Sequence, residues 1–203
     1  MKMSGNRILT GLLLMLFLTL LSAFAIYEPL SSKPKKKKFD YLVNLETKFG
    51  EMVIVLYDET PKHKENFLKL VNEGFYDSTT FHRVMNKFMI QGGDPNSKDD
   101  NPKNDGLGGP GYTIAAEFNP NFFHKKGVLA AARQPDAVNP KKESSGSQFY
   151  LVQGKKVNEQ QLLQMAKYKG IKYSPEKIQA YKEIGGTPHL DGDYTVFGEV
   201  ISG

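Results

Sequence analysis

Two short β-type runs, YLVNLET (residues 41–47) and EMVIVLY (residues 51–57), flank Phe49-Gly50 and read as a hairpin. Runs of this kind recur along the chain, and they limit the fold more than any other feature. Residues 81–84 and 88–91 form a second pair around Asn86-Lys87, and further runs follow at 128–132, 149–152 and 195–201. Many short strands with few helices satisfy their edges by closing on themselves, so the pattern predicts a mainly-β barrel or sandwich. Residues 92–111 are rich in Gly, Pro, Asp and Asn and must be mostly loop. A long loop inside a compact domain is frequently functional.

Helical signals are few. Thr60-Pro61 gives an N-cap and a first-turn proline, Phe67, Leu70 and Val71 then fall on one face, and Gly74 suits the stop. Residues 155–186 break the β pattern. Asn158 can cap a helix carrying Leu162, Leu163 and Ala166 that Gly170 ends, and Ser174-Pro175 can start a second with Ile178, Tyr181 and Ile184 on one side. This predicts a helical hairpin inserted between two strands. Its seven lysines against three glutamates make it basic.

The amino terminus has a different character. Lys2 and Arg7 precede an apolar stretch from Ile8 to Leu21, and Ala23-Phe24-Ala25 supplies small residues at A-x-A spacing. Residues 1–25 are therefore expected to be a secretory signal peptide cleaved after Ala25, with an exported, periplasmic protein as the outcome. The alternative is a membrane anchor through residues 8–26, although Lys33 and Lys35 to Lys38 close behind the span disfavour a domain held outside. Residues 26–38 (IYEPLSSKPKKKK) read as a basic disordered linker, a solvated tether whose lysine run could also associate with a membrane of anionic lipid. Removing leader and linker leaves 20 of the 27 basic residues and 21 of the 22 acidic ones in residues 39–203, so the net +5 belongs to the leader region. A near-neutral domain gives no reason to expect nucleic acid as a partner. There is no cysteine, so no disulfide supports the core.

Most reaction chemistries lack their parts. His63, His82, His124 and His189 show no metal-ligand spacing, and no cofactor is expected. Asp191-Gly192-Asp193 reads as a turn, and SSGS (residues 144–147) is not a nucleophile elbow. The glycines at 106, 108, 109 and 111 are not followed by the lysine of a phosphate loop. What remains is an arginine, Arg83, inside the apolar run FHRVMNKFMIQGGD (residues 81–94), with no acid before Asp94.

That run, together with GSQFY (residues 146–150) and HLDGDYTVFGEV (residues 189–200), resembles the cyclophilins, which are peptidyl-prolyl cis–trans isomerases. GLGGPGY (106–112), Glu117-Phe118 and ENF (65–67) match as well, and the likeness runs from about Phe39 to the end. The resemblance implies a closed eight-stranded antiparallel β-barrel with two capping helices, to which the hairpin 155–186 is added. It implies rotation of X-Pro bonds in proline-containing polypeptides, by a monomer, without a covalent intermediate, with Arg83 donating to the prolyl nitrogen of the twisted amide. Phe88, Met89, Tyr150 and Leu190 would line a proline pocket. Gln91 would bond the substrate backbone with Gln148 nearby, and His82 would border the site. Ala132 and Arg133 would form the edge strand along which the peptide lies, bonding it mainly through backbone groups. Four positions depart from the family's habit: Tyr150 for phenylalanine, His189 for tryptophan, Tyr194 for histidine and Arg133 for asparagine. Retained catalysis with weakened binding of the inhibitor cyclosporin is expected. The competing function is a non-catalytic proline-binding chaperone or scaffold that uses the basic hairpin for contact.

Overall fold

The computed structural model describes residues 2–7 and 41–203; residues 8–25 of the expected leader and the whole linker 26–38 lie outside the described residues. The strands are β1 (Lys2–Arg7), β2 (Tyr41–Thr47), β3 (Gly50–Leu56), β4 (Arg83–Met85), β5 (Met89–Gly92), β6 (Thr113–Ile114), β7 (Val128–Ala131), β8 (Ser144–Ser145), β9 (Phe149–Val152) and β10 (Val196–Ser202). Three helices join them: α1 (Pro61–Asn72), α2 (Glu159–Lys169) and α3 (Pro175–Glu183). Eight strands form one antiparallel sheet in the order β1-β2-β3-β10-β7-β9-β5-β4, while β6 and β8 pair separately.

The expected closed barrel does not form. Closure requires hydrogen bonds between the first and last strands, and among the described residues β1 pairs only with β2 and β4 only with β5. The sheet is an open half-barrel with two edges. Of the helices, α1 packs on one layer of the sheet through Phe67, Leu70 and Val71, and α2 and α3 form the expected hairpin between β9 and β10.

Strand alternation sorts the interior into two layers. Phe149 and Leu151 of β9, with Leu129 and Ala131 of β7, join a cluster under α1 that includes Phe67, Leu70 and Tyr76. Tyr150 and Val152, with Val128 and Ala130, point the other way and pack with Met89, Leu190 and Val196. The central strands are thus buried on both faces. The sequence pattern matches this: 149–152 is a continuous apolar run without polar alternation. On α1, Thr60 stands at the N-cap without capping by its side chain, its hydroxyl donating instead to Tyr57 O at 3.3 Å, and Pro61 starts the helix. Gly93 is required by space as well as conformation. Its φ is +85°, and a Cβ there would stand 2.3 Å from the Ser147 carbonyl oxygen.

The hairpin keeps the expected ends. The Asn158 side chain accepts from Gln161 N at 2.8 Å, and Gly170 closes α2 in the left-handed conformation. Leu162, Tyr181 and Val157 make a small core of its own with Phe123 and Tyr173. Leu163 and Ile184, expected on its apolar side, are exposed, since this core takes only a narrow stripe of each helix. A backbone pair between Lys155 and Gly186 closes the base of the hairpin, and Lys125 bridges Gly186 to tie that base to the segment just before β7.

Candidate active site

Register builds the site. Arg83 of β4 lies opposite Gln91 of β5, Gln91 opposite Tyr150 of β9, and Tyr150 opposite Ala130 of β7. Residues directly opposite share a face, so one cross-strand row carries the guanidinium, the amide and the phenol. Arg83, Phe88, Met89, Gln91, Ala132, Arg133, Tyr150, Leu190 and Tyr194 line a cavity of about 130 Å³. Met89 is fully buried at its floor, and Leu190 reaches it from the short 3-10 turn Pro188–Leu190. The cavity is small, and larger ones of about 390, 620 and 910 Å³ lie elsewhere. Volume therefore does not single out the site; the state of Arg83 does.

Arg83 is exposed and makes no ion pair among the described residues. One terminal nitrogen donates to Gln91 Oε1 at 3.2 Å and the other to Met85 Sδ at 3.0 Å. A guanidinium has five N–H donors, so three remain uncommitted. Its carbon lies 5.9 Å from the Phe88 ring centroid, within cation–π range. Gln91 is held in turn: its Nε2 donates to Gln148 Oε1 at 3.0 Å, and Gln148 Nε2 donates to the carbonyls of Gly106 and Gly108 at 3.0 and 2.8 Å. The orientation of Arg83 is thereby tied to the 92–111 loop. Asp94, the one acid of the run, is fully buried and accepts backbone N–H groups of Asn96, Gly106 and Gly108. It shapes the loop and does not neutralise the arginine.

The other expected residues are distributed around this centre. His189 is outside the lining but packs its ring 5.5 Å from that of Phe88. His82 is also outside the lining; both its ring nitrogens are buried without a partner, and burial lowers its pKa against the opposing pull of Asp94 and Asp105. Ala132 is not on an edge strand: β7 is interior, the Ala132 N–H donates to Gln148 O at 3.0 Å, and its carbonyl accepts from Ser145 N at 2.8 Å. Its N–H is unavailable to a peptide. The Arg133 side chain donates to Asp193 O at 2.7 Å, pairs with Asp136 at 2.6 Å, and stacks 4.5 Å over Tyr194.

Sequence reading missed what lies behind the cavity wall. The Tyr150 hydroxyl meets His124 Nε2 at 2.9 Å, and His124 Nδ1 meets Asp191 Oδ1 at 2.8 Å. The other Asp191 oxygen accepts the hydroxyls of Tyr181 at 2.6 Å and Tyr173 at 2.9 Å, both from the hairpin. With its Nδ1–H assigned toward Asp191, His124 Nε2 accepts from the Tyr150 hydroxyl. Burial works against the Asp191 carboxylate, but bonds from His124 and Tyr181 outweigh it and lower its pKa. Asp193, two residues on, pairs with Lys142 and with Lys169 of α2. The 191–193 segment is the expected turn, and it is also a hub joining hairpin to pocket. These partners are distant in sequence and form no local motif; the departure from phenylalanine at Tyr150 was the only available signal.

A second buried constellation has the connectivity of a serine–histidine–carboxylate triad. His63 Nδ1 lies 2.7 Å from Glu117 Oε2, and its Nε2 lies 2.9 Å from Ser144 Oγ. Burial lowers the His63 pKa despite the carboxylate beside it, which leaves a neutral ring donating to Glu117. Ser144 and His63 are buried, however, and the space beside His63 is about 10 Å³. No acyl group can reach the serine, so this is a structural tie between α1, the 113–118 segment and β8. Among the described residues no group of three acids or histidines could hold a metal.

The chain has relatives among known proteins. The family model described as "Cyclophilin type peptidyl-prolyl cis-trans isomerase/CLD" matches residues 42–203. Proteins of Staphylococcus aureus (strain USA300) and Staphylococcus epidermidis (strain ATCC 35984), each named "Putative peptidyl-prolyl cis-trans isomerase", are 39% identical over 165 residues, covering 79% of this chain and 76% of theirs. The crystal structure of a Cryptosporidium parvum cyclophilin type peptidyl-prolyl cis-trans isomerase is similar with TM-score 0.55 at 27% identity, covering 79% of this chain and 76% of that one. The same protein in the presence of the dipeptide Ala-Pro gives 0.53 at 27% identity, with 79% and 78% covered.

Proposed function

Because the chain belongs to the cyclophilin-type peptidyl-prolyl cis–trans isomerase family (EC 5.2.1.8), we propose that it accelerates X-Pro bond rotation at the Arg83 cavity without a covalent step. The observation that carries the reading is an exposed guanidinium with uncommitted donors, held over an apolar pocket and paired with no carboxylate among the described residues. Amide resonance sets a barrier of ~18–20 kcal/mol. At the twisted geometry the prolyl nitrogen regains its lone pair, which neither planar isomer offers. A donor aimed at that nitrogen therefore bonds the transition state better than either ground state, and each ~1.4 kcal/mol of the difference gives tenfold in rate.

The pocket's part is to hold the ring while the chain on the other side of the bond turns. Three proline methylenes against Met89, Phe88 and Leu190 contribute roughly 2.4 kcal/mol at ~0.8 kcal/mol each. Gln91 has two duties in this scheme. Its carbonyl orients Arg83, and the second hydrogen of its amide nitrogen remains for the substrate backbone. The Ala-Pro dipeptide used with the Cryptosporidium relative supports proline-containing peptides as ligands here.

The test is an isomerisation assay on the full chain with Arg83→Ala and Arg83→Lys. By analogy with removal of one transition-state donor, Arg83→Ala should lose about 100- to 1000-fold in kcat/KM. Arg83→Lys should recover little, since an ammonium lacks the planar fork. An unimpaired Arg83→Ala overturns the mechanism. Proline-peptide binding without wild-type activity would instead establish the non-catalytic scaffold. The leader composition supports export, with folding clients among exported proteins and cleavage after Ala25.

A further inference from the structure

Beyond the Phe88–His189 ring pair lies a groove of about 620 Å³ between α2 and residues 186–189. The insertion creates it, and nothing in the mechanism above uses it. Its wall is cationic and carries no acid: Lys87 and Lys155 line it, both exposed and neither ion-paired among the described residues. Its floor is apolar, with Met165 and Pro188, and Tyr168 stands over it at 93% exposure. Thr187 also lines it, and its side-chain oxygen is buried without a hydrogen-bond partner. Unpaired cations and an exposed aromatic over an apolar floor in one concavity are the complement of a carboxylate on an apolar stem.

Continuity with the proline cavity identifies whose carboxylate. Phe88 lines the cavity and His189 lines the groove, and their rings are 5.5 Å apart, so one ring pair divides the two. Extended chain advances ~3.3 Å per residue, so about two residues cross the 5.5 Å between the rings and the next reaches into the groove. At the boundary, Lys169 and Lys155 both act electrostatically on His189 against the opposing Asp191, and of the two lysines Lys155 has no ion pair among the described residues.

We propose that this groove is an extension subsite selecting client segments that carry Glu or Asp about two or three residues from the proline. The proposal rests on the isomerase reading and deepens it, assigning the hairpin to substrate choice while the chemistry stays at Arg83. Exposed charge pairs are individually weak and screened by salt, so the effect belongs in KM and at low ionic strength.

The experiment compares matched peptides carrying Glu or Gln at the second or third residue on either side of the proline, assayed with the full chain. In low salt at least one Glu placement should lower KM by about three- to tenfold relative to its Gln twin, with kcat unchanged. Physiological salt should shrink the difference, and Lys87→Gln combined with Lys155→Gln should abolish it while leaving the Gln peptides unaffected. Equal KM for Glu and Gln at every placement, with both isomerised, overturns the subsite and leaves the isomerase reading intact. A preference that survives the double lysine substitution also overturns it. If no peptide is turned over faster than by Arg83→Ala, the isomerase reading fails and the subsite falls with it.

Discussion

Replacing Tyr181 by phenylalanine removes one oxygen from the hub that joins the hairpin to the pocket. The ring stays, so no cavity opens around this fully buried side chain, and its edge contacts with Phe123 and Tyr173 persist. What is lost is a 2.6 Å hydrogen bond to a buried carboxylate. Bonds to charged groups contribute about 1.5–3 kcal/mol, against roughly 1 kcal/mol for neutral pairs. Asp191 keeps Tyr173 and the two donors of His124, so no fully orphaned charge adds to the loss. Tyr181→Phe should therefore destabilise by about 1.5–3 kcal/mol, read as a lower urea midpoint at unchanged slope. Tyr168→Phe, at an exposed ring, should stay within about 0.5 kcal/mol. If the bond also orients Tyr150 through Asp191 and His124, Tyr181→Phe should raise KM for a proline peptide. That rise should vanish when Tyr150→Phe is already present, because the line then has no end to act on. A Tyr181→Phe change below about 0.5 kcal/mol would refute the charge-assisted bond. KM effects that simply multiply in the double variant would refute the coupling.

Stability should fall on acidification in two stages. His63 has a lowered pKa through burial, so below about pH 6.5 the unfolded chain takes up a proton that the folded chain resists. Asp191 and Glu117 resist burial with bonds that lower their pKa, so their contribution is present above about pH 4 and is lost as pH falls through the folded values. Urea midpoints from pH 8 to 3 check this, and a flat profile below pH 6.5 would contradict the burial of a neutral His63. Cyclosporin should inhibit weakly, and His189→Trp, which restores a large apolar ring beside Phe88, should tighten inhibition by up to about tenfold; no tightening would contradict the role of that rim. Processing after Ala25 would remove β1, whose Met3 is buried in the core and whose ladder covers β2. The intact mass of the native protein should begin at Ile26, and the processed chain should show a lower urea midpoint than the unprocessed one.

Much of the architecture was legible locally. The hairpins, the Pro61 helix start, the Asn158 and Gly170 helix ends and the position of the insertion all depend on neighbours within a few residues, so turn chemistry and apolar spacing reveal them. Boundaries shifted by one or two residues where strand pairing decided them: Phe81 and His82 fell outside β4. Closure of the sheet was not legible, because it depends on whether two edges meet, which no single run encodes. Arg83, Gln91 and Tyr150 could be nominated from motifs, but their alignment in one row is a matter of register between three strands.

The sequence by itself determined a mainly-β chain without metal or nucleophile motifs, with one arginine set among apolar residues and a basic helical insertion. Those are properties of composition and of contacts between near neighbours. Only the tertiary structure decided that Asp94 faces the loop and leaves Arg83 unpaired, that Asp191 is a buried hub, and that Ala132 has already spent its N–H. Each of these turns on which distant group satisfies a buried donor or acceptor. A folded chain resolves that only when its strands and loops are in place, because burial is what makes an unsatisfied polar group costly.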